Sequence, residues 1–121
     1  MLFFDLHSYT DEIVPANQLQ GGKKTPDVCI GTEHYYTPGK LIKNVRKCFE
    51  EAGFTTALNY PYSGCFVPDT VMAGISSCDC AAVMIELNRR IYCDESGNSD
   101  PVKMNQIQEI MRKIIELSVN I

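Results

Sequence analysis

With 121 residues, 45% of them hydrophobic and 21% charged, the chain has the size and composition of one globular domain and excludes a disordered segment. A net charge of -4 with scattered lysines and arginines excludes the basic stripe that would track a phosphate backbone, so nucleic acid is not an expected partner. No apolar run approaches the ~20 residues of a spanning helix, and Met1–Leu6 is too short and lacks the basic start of a signal peptide, so the expectation is a cytoplasmic protein without a membrane partner.

In chain order, Leu2–Leu6 is apolar apart from Asp5, which predicts a strand buried on both faces. Tyr9–Pro26 shows no sustained period and holds Pro15, Gly21, Gly22 and Pro26, so it reads as a long irregular excursion. Asp27–Gly31 is a second short strand between Pro26 and Gly31. Thr37 and Pro38 predict a cap and first position of a helix, with Leu41, Ile42, Val45, Cys48, Phe49 and Ala52 at helical spacing and Gly53 closing it. Thr55–Asn59 returns as a strand, making a right-handed parallel crossover.

The stretch YPYSGCFVPDT reads as turns, Ala81–Leu87 as another buried strand, and CDESGNSD as a polar break. Asp100–Pro101 then starts a helix whose Ile107, Ile110, Met111, Ile114, Ile115 and Ile121 are expected on one sheet-covering face. There is no internal repeat. The fold class is therefore α/β, with a mixed, largely parallel sheet of about four strands and flanking helices, in a single domain over residues 1–121.

Few residues here suit chemistry. His7 follows the first strand, where ligand-binding groups collect at carboxyl ends of strands, and imidazole is a common zinc ligand; it equally suits a loop histidine that satisfies a backbone group. Glu86 lies among apolar neighbours near the end of a strand, where burial raises a carboxyl pKa and makes it a proton carrier; the structural alternative is an ion pair with Arg89 or Arg90. Those arginines also suit a carboxylate-bearing substrate, which a guanidinium holds through two parallel hydrogen bonds. Cys65 has no identified base to make it a nucleophile. Six cysteines in a cytoplasmic chain are expected as reduced thiols, and Cys78 and Cys80 form a C-x-C without the second close pair of a structural zinc set.

Five motifs, DLHSYTDE, PDVCIGT, YTP, NYPYSG and MIELNRRIY, stand in that order from Asp5 to Tyr92. Together they resemble the N-formylglutamate amidohydrolase family, a branch of zinc-dependent carboxypeptidase-like hydrolases. The resemblance implies a mixed sheet flanked by helices, half of a phosphorylase/hydrolase-like three-layer fold. It implies zinc as cofactor with His7 as a ligand, Glu86 as general base and acid, and Asn88, Arg89 and Tyr62 as substrate-pocket residues, which Arg90 joins by its own suitability for a substrate carboxylate. The implied reaction is hydrolysis of an N-acyl amino acid by zinc-activated water.

The family's other two zinc ligands come from an H-x-x-E motif, and His34 is followed by Tyr35, Tyr36 and Thr37 instead. The chain is accordingly expected to be the C-terminal part of a larger domain. By the family's strand order, Leu2–Leu6 is expected beside Ala81–Glu86 with one edge free for a homodimer or a partner chain. Two competing functions are a non-catalytic remnant or subunit awaiting its missing ligands, and a thiol or cysteine-metal protein using Cys78 and Cys80.

Overall fold

The computed structural model describes residues 1–13, 25–74 and 79–121. Four strands, β1 (Leu2–Tyr9), β2 (Val28–Gly31), β3 (Thr56–Leu58) and β4 (Ala81–Asn88), form one sheet in the order β1-β4-β2-β3. β1 is parallel to β4 and β2 to β3, while β2 runs antiparallel to β4. This is the expected mixed α/β sheet. Among the described residues no helix is long and apolar enough to cross a membrane.

β1 differs from its expected form in two ways. It runs three residues past Leu6, because His7, Ser8 and Tyr9 continue the ladder against Glu86, Leu87 and Asn88. It also lies at the sheet edge and is not buried on both faces, with Leu6 58% exposed. The expected pairing of Leu2–Leu6 with the Ala81 strand is present, and the opposite edge of β1 has no partner among the described residues.

Two long helices, α1 (Gly39–Glu51) and α3 (Pro101–Ser118), cover one face of the sheet. Leu41, Val45 and Phe49 from α1 and Ile107, Ile110 and Ile114 from α3 meet Val28, Ile30, Val83 and Ile85 in one core. Each such side chain contributes about 1.5–3 kcal/mol relative to exposure. Alternation along the strands sends Val28, Ile30, Val83 and Ile85 to this face and their neighbours to the other.

The helix ends follow local rules, with one exception. Asp100 caps α3, its Oδ1 accepting the N–H groups of Val102 (2.9 Å) and Lys103 (3.3 Å) ahead of Pro101. At the end of α1, Phe54 N–H reaches the Phe49 carbonyl (3.1 Å) and Gly53 N–H that of Glu50 (3.0 Å), with Gly53 at φ +93°. The Phe49 and Phe54 rings close this Schellman motif at 6.3 Å. Thr37 does not cap α1: its hydroxyl accepts the Glu33 N–H (2.8 Å), and Pro38, extended at ψ 147°, precedes the helix without a side-chain bond.

On α3 the buried stripe is Ile107, Ile110, Ile114 and Ser118. Ser118 takes the last place and accepts from Asn44 Nδ2 (3.2 Å). Ile115, one residue off the stripe and so ~100° round the helix, is 43% exposed, as is Ile121 at 40%. Met111 packs partly against the core.

Among the described residues the opposite face of the sheet has a thinner cover, formed by residues 59–72 with the one-turn helix α2 (Asp69–Met72). Asn59, at φ +52°, staples this segment to the end of β2: its Oδ1 accepts from Thr32 N (2.9 Å) and Gly64 N (3.2 Å), and its Nδ2 donates to Thr32 Oγ1 (2.8 Å). The Cys29 thiol donates to the Tyr62 carbonyl (3.1 Å). The CDESGNSD stretch is an ordered reversal, with Cys93 bridged to Ser99 and Asp94 Oδ1 accepting from Ser96 and Asn98 N–H groups.

Candidate active site

Strand alternation places Phe3, Asp5, His7 and Tyr9 of β1 on the thinly covered face. The ladder aligns His7 with Glu86 on β4, and Glu86 in turn with Cys29 on β2. One row across three strands therefore carries imidazole, carboxyl and thiol. His7 lies within β1, not after it, and its side chain is 51% exposed.

Glu86 is 9% exposed and accepts no hydrogen bond from any described residue. Burial raises its pKa, against which the nearby charge of His7 pulls down and that of Asp5 pushes up. The carboxyl is thus held closer to neutrality than an exposed glutamate. Neither arginine pairs with it. Arg90 donates to Asp27 Oδ1 through Nε (3.0 Å) and Nη2 (2.9 Å), to Asp11 Oδ2 through Nη1 (3.2 Å), and to the Thr25 carbonyl (2.6 Å). Arg89, exposed, gives only its Nε to Ser8 Oγ (3.3 Å) among the described residues.

Asn88 is 2% exposed and ties the turn after β4 to the start of the chain. Its Nδ2 donates to Asp11 Oδ1 (2.9 Å) and its Oδ1 accepts from Arg90 N (3.1 Å). At Asp11 burial works to raise the pKa, but bonds from Thr25 and Asn88 and the charge of Arg90 outweigh it and hold the carboxyl below its ordinary value. Tyr62 stands edge-on to Tyr9 with ring centroids 5.7 Å apart, and Tyr9 hydrogen-bonds the Pro26 carbonyl. The two rings pack with Cys29 and Met84 on this face.

The thiols here are quiet. Burial raises the pKa of Cys29, and burial with the nearby charge of Asp5 pushes Cys65 up to about 12. Both stay protonated at neutral pH, which leaves no activated cysteine nucleophile at Cys65. The C-x-C with Cys80 cannot be placed, because Cys78 lies outside the described residues.

Asp5 is the site residue that sequence reasoning missed. Its Oδ1 meets His7 Nε2 at 2.7 Å and its Oδ2 accepts the Phe66 N–H at 2.9 Å. The signal was available: in a strand, residues two apart share a face. Asp11 was overlooked as well, and no local pattern identifies it, because its partners Asn88 and Arg90 come from the other end of the chain.

A catalytic zinc ion takes three protein ligands plus water. Among the described residues no three histidine, cysteine, aspartate or glutamate side chains are grouped to hold a metal ion. At this face they offer the imidazole of His7 without a completing group, and by themselves they do not fit such an ion.

A family model described as N-formylglutamate amidohydrolase matches residues 1–93. A solved structure, the N-formylglutamate amidohydrolase from Ralstonia eutropha JMP134, superposes with a TM-score of 0.71 at 19% identity. The match covers 97% of this chain and 43% of that one, so the chain spans less than half the length of that neighbour. No curated protein matches the sequence.

Proposed function

Since this chain belongs to the N-formylglutamate amidohydrolase family, we propose that it carries the proton-transferring part of a site that hydrolyses N-formyl or other N-acyl amino acids. The single observation that most supports this reading is the alignment of His7 with a buried Glu86, without a hydrogen-bond partner among the described residues, on one face of the sheet. Cleaving an amide needs a base for the attacking water and an acid for the leaving amine. Glu86 serves both: it takes a proton as water adds to the acyl carbon, then returns it to the nitrogen as the C–N bond breaks, giving a carboxylic acid and a free amino acid. A carboxyl whose pKa is raised by burial suits both halves of that exchange.

Arg89, with most of its guanidinium unspent, is the proposed partner of the substrate carboxylate, and Tyr62 the wall beside it. Asn88 and Arg90, both engaged in the network with Asp11, set the turn that presents Arg89. His7 is the proposed ligand for zinc, the cofactor that the family resemblance implies. The rest of that metal's ligand set would have to come from outside the described residues.

The second reading, a non-catalytic subunit or remnant, draws support from the incomplete donor set among the described residues. The outer edge of β1, which has no partner among the described residues, supports a partner strand as the way to complete the site, from a second copy or another chain. Cys29, Cys48, Cys65, Cys80 and Cys93 are free thiols, which supports the cytoplasm as the compartment.

The test is release of free amine from N-formyl-L-glutamate with zinc supplied. Turnover by the wild type that falls to background in His7→Ala is the expected result. A wild type without turnover on this or any other N-acyl amino acid would favour the non-catalytic reading.

A further inference from the structure

Helix α1 turns one face to the core and leaves the other uncovered by the described residues. Lys40, Lys43, Arg46, Lys47, Glu50 and Glu51 are all exposed on it. A shallow groove of about 480 Å³ runs along this face, lined between Gly39 and Glu51 by α1 alone.

The charges on this face are sorted by sign, with the cations first and the carboxylates last. That order opposes the helix dipole, which favours anions near the N-terminus and cations near the C-terminus. The first turn holds no acid, the last turn no base, and Pro38 ahead of the helix supplies no side-chain cap. Lysine or arginine four residues before glutamate is also the poorer of the two orders for a helical pair.

Within the chain the arrangement gains little. Arg46 reaches Glu50 only at 3.4 Å, through Nε and Nη2, and both side chains are nearly half exposed. Lys43, Lys47 and Glu51 make no hydrogen bond or ion pair among the described residues. The Thr56 hydroxyl donates to Glu50 at 2.7 Å and holds that carboxylate in place at the end of the helix.

A charge order that disfavours an isolated helix is self-complementary when a second copy lies across it antiparallel. A two-fold axis perpendicular to α1, at the level between Cys48 and Phe49, sets Arg46 opposite Glu51 of the second copy and Lys47 opposite its Glu50. Symmetry repeats each pairing, and the two helix dipoles run in opposite directions.

We propose that the exposed face of α1 docks a second copy of this chain, Arg46 and Lys47 of each copy meeting Glu51 and Glu50 of the other. The surface lies on the helix side of the sheet, so docking leaves the face of His7 and Glu86 clear. Thirteen helical residues span only about 20 Å. The contact is therefore smaller than that of a permanent dimer, and its strength and specificity come from charge.

The experiment is sedimentation equilibrium of the full chain, from micromolar to about 1 mM protein, at about 0.1 M and about 1 M salt. At the lower salt a Debye length of ~10 Å damps the repulsion between two bodies of net charge -4 but spares charges in contact. At the higher salt, ~3 Å screens the contacts as well. The expected mass rises with concentration from 13.6 kDa toward twice that value at the lower salt, and stays at the monomer value at the higher.

Two double variants identify the surface. Arg46→Glu with Lys47→Glu makes the patch all acidic, and Glu50→Lys with Glu51→Lys makes it all basic. Each alone is expected to weaken association about tenfold or more, and an equimolar mixture of the two is expected to associate again. A merely structural role for these residues would not produce that rescue.

A wild type that stays monomeric at both salts would overturn the proposal. So would a dimer indifferent to salt and to both double variants, which would place the interface elsewhere, as at the β1 edge, and so would a mixture of folded variants that fails to associate. The wild-type salt series decides even if a variant misfolds. No substrate or metal is present, so the outcome is separate from that of the hydrolysis assay.

Discussion

Glu86→Gln is expected to lower kcat for N-formyl-L-glutamate hydrolysis by about 10²- to 10⁴-fold, the usual worth of a positioned acid–base group, while raising the thermal midpoint at neutral pH. The two effects have one cause. The amide keeps the shape of the side chain but neither accepts nor returns a proton, so catalysis is lost. It also removes a carboxyl that burial disfavours in its charged form.

The sign follows from linkage. The folded-state pKa of Glu86 is raised above the unfolded value, so its stabilising contribution is fully present below the unfolded pKa and is lost as pH rises through the folded one. At neutral pH the wild type bears the cost of the buried charge and the glutamine variant does not. Melting curves with a chelator present, together with initial rates, check both halves. A variant that loses activity and stability together would mean that Glu86 is a structural group.

Gly31→Ala is expected to destabilise the fold by about 1–3 kcal/mol or more, the range for overpacking a filled site. A methyl group at Gly31 would overlap the Gly64 carbonyl, and would lie 2.5 Å and 2.9 Å from two carbons of Met84. The Met84 side chain can give way in part; the Gly64 backbone can do so only if residues 59–66 lift from the sheet. That movement would strain the bonds from Asn59 to Thr32 and Gly64 and withdraw the Phe66 N–H from Asp5. Urea denaturation measures the loss. The amide shift of Phe66 in folded variant reports whether the segment has moved, and an unchanged midpoint would contradict the packing at Gly31.

The architecture was legible in sequence where local physics dominates. Asp100–Pro101 marks the start of α3 and Gly53 the end of α1 because a cap or a left-handed residue acts within one turn of chain. Strand lengths were less legible. Glu86 falls inside the expected strand, whereas His7 sits inside β1 rather than after it because β1 continues along β4, and that pairing joins residues nearly eighty positions apart. For the same reason the sequence pointed to Arg89 or Arg90 as partners of Glu86, while the fold gives Arg90 to Asp11 and Asp27. Charge proximity in sequence is not proximity across a sheet. That Asp5 shares a face with His7 was readable from alternation alone; its second bond, to Phe66, was not.

The family resemblance rested on five motifs in order, and the match over residues 1–93 bears out the family. It leaves the site to be argued from geometry, since a structural neighbour at 19% identity carries the fold and no more.

The most direct test of the account is to map where substrate sits, by titrating N-formyl-L-glutamate into nitrogen-labelled protein and following backbone amides. Shifts are predicted at His7, Glu86 and the Asn88–Arg89 turn, at the carboxyl ends of β1 and β4, and are expected to weaken in Arg89→Ala. Shifts confined to the helix-covered face, or none at His7 and Glu86 at saturating ligand, would contradict the assignment of this face as the site.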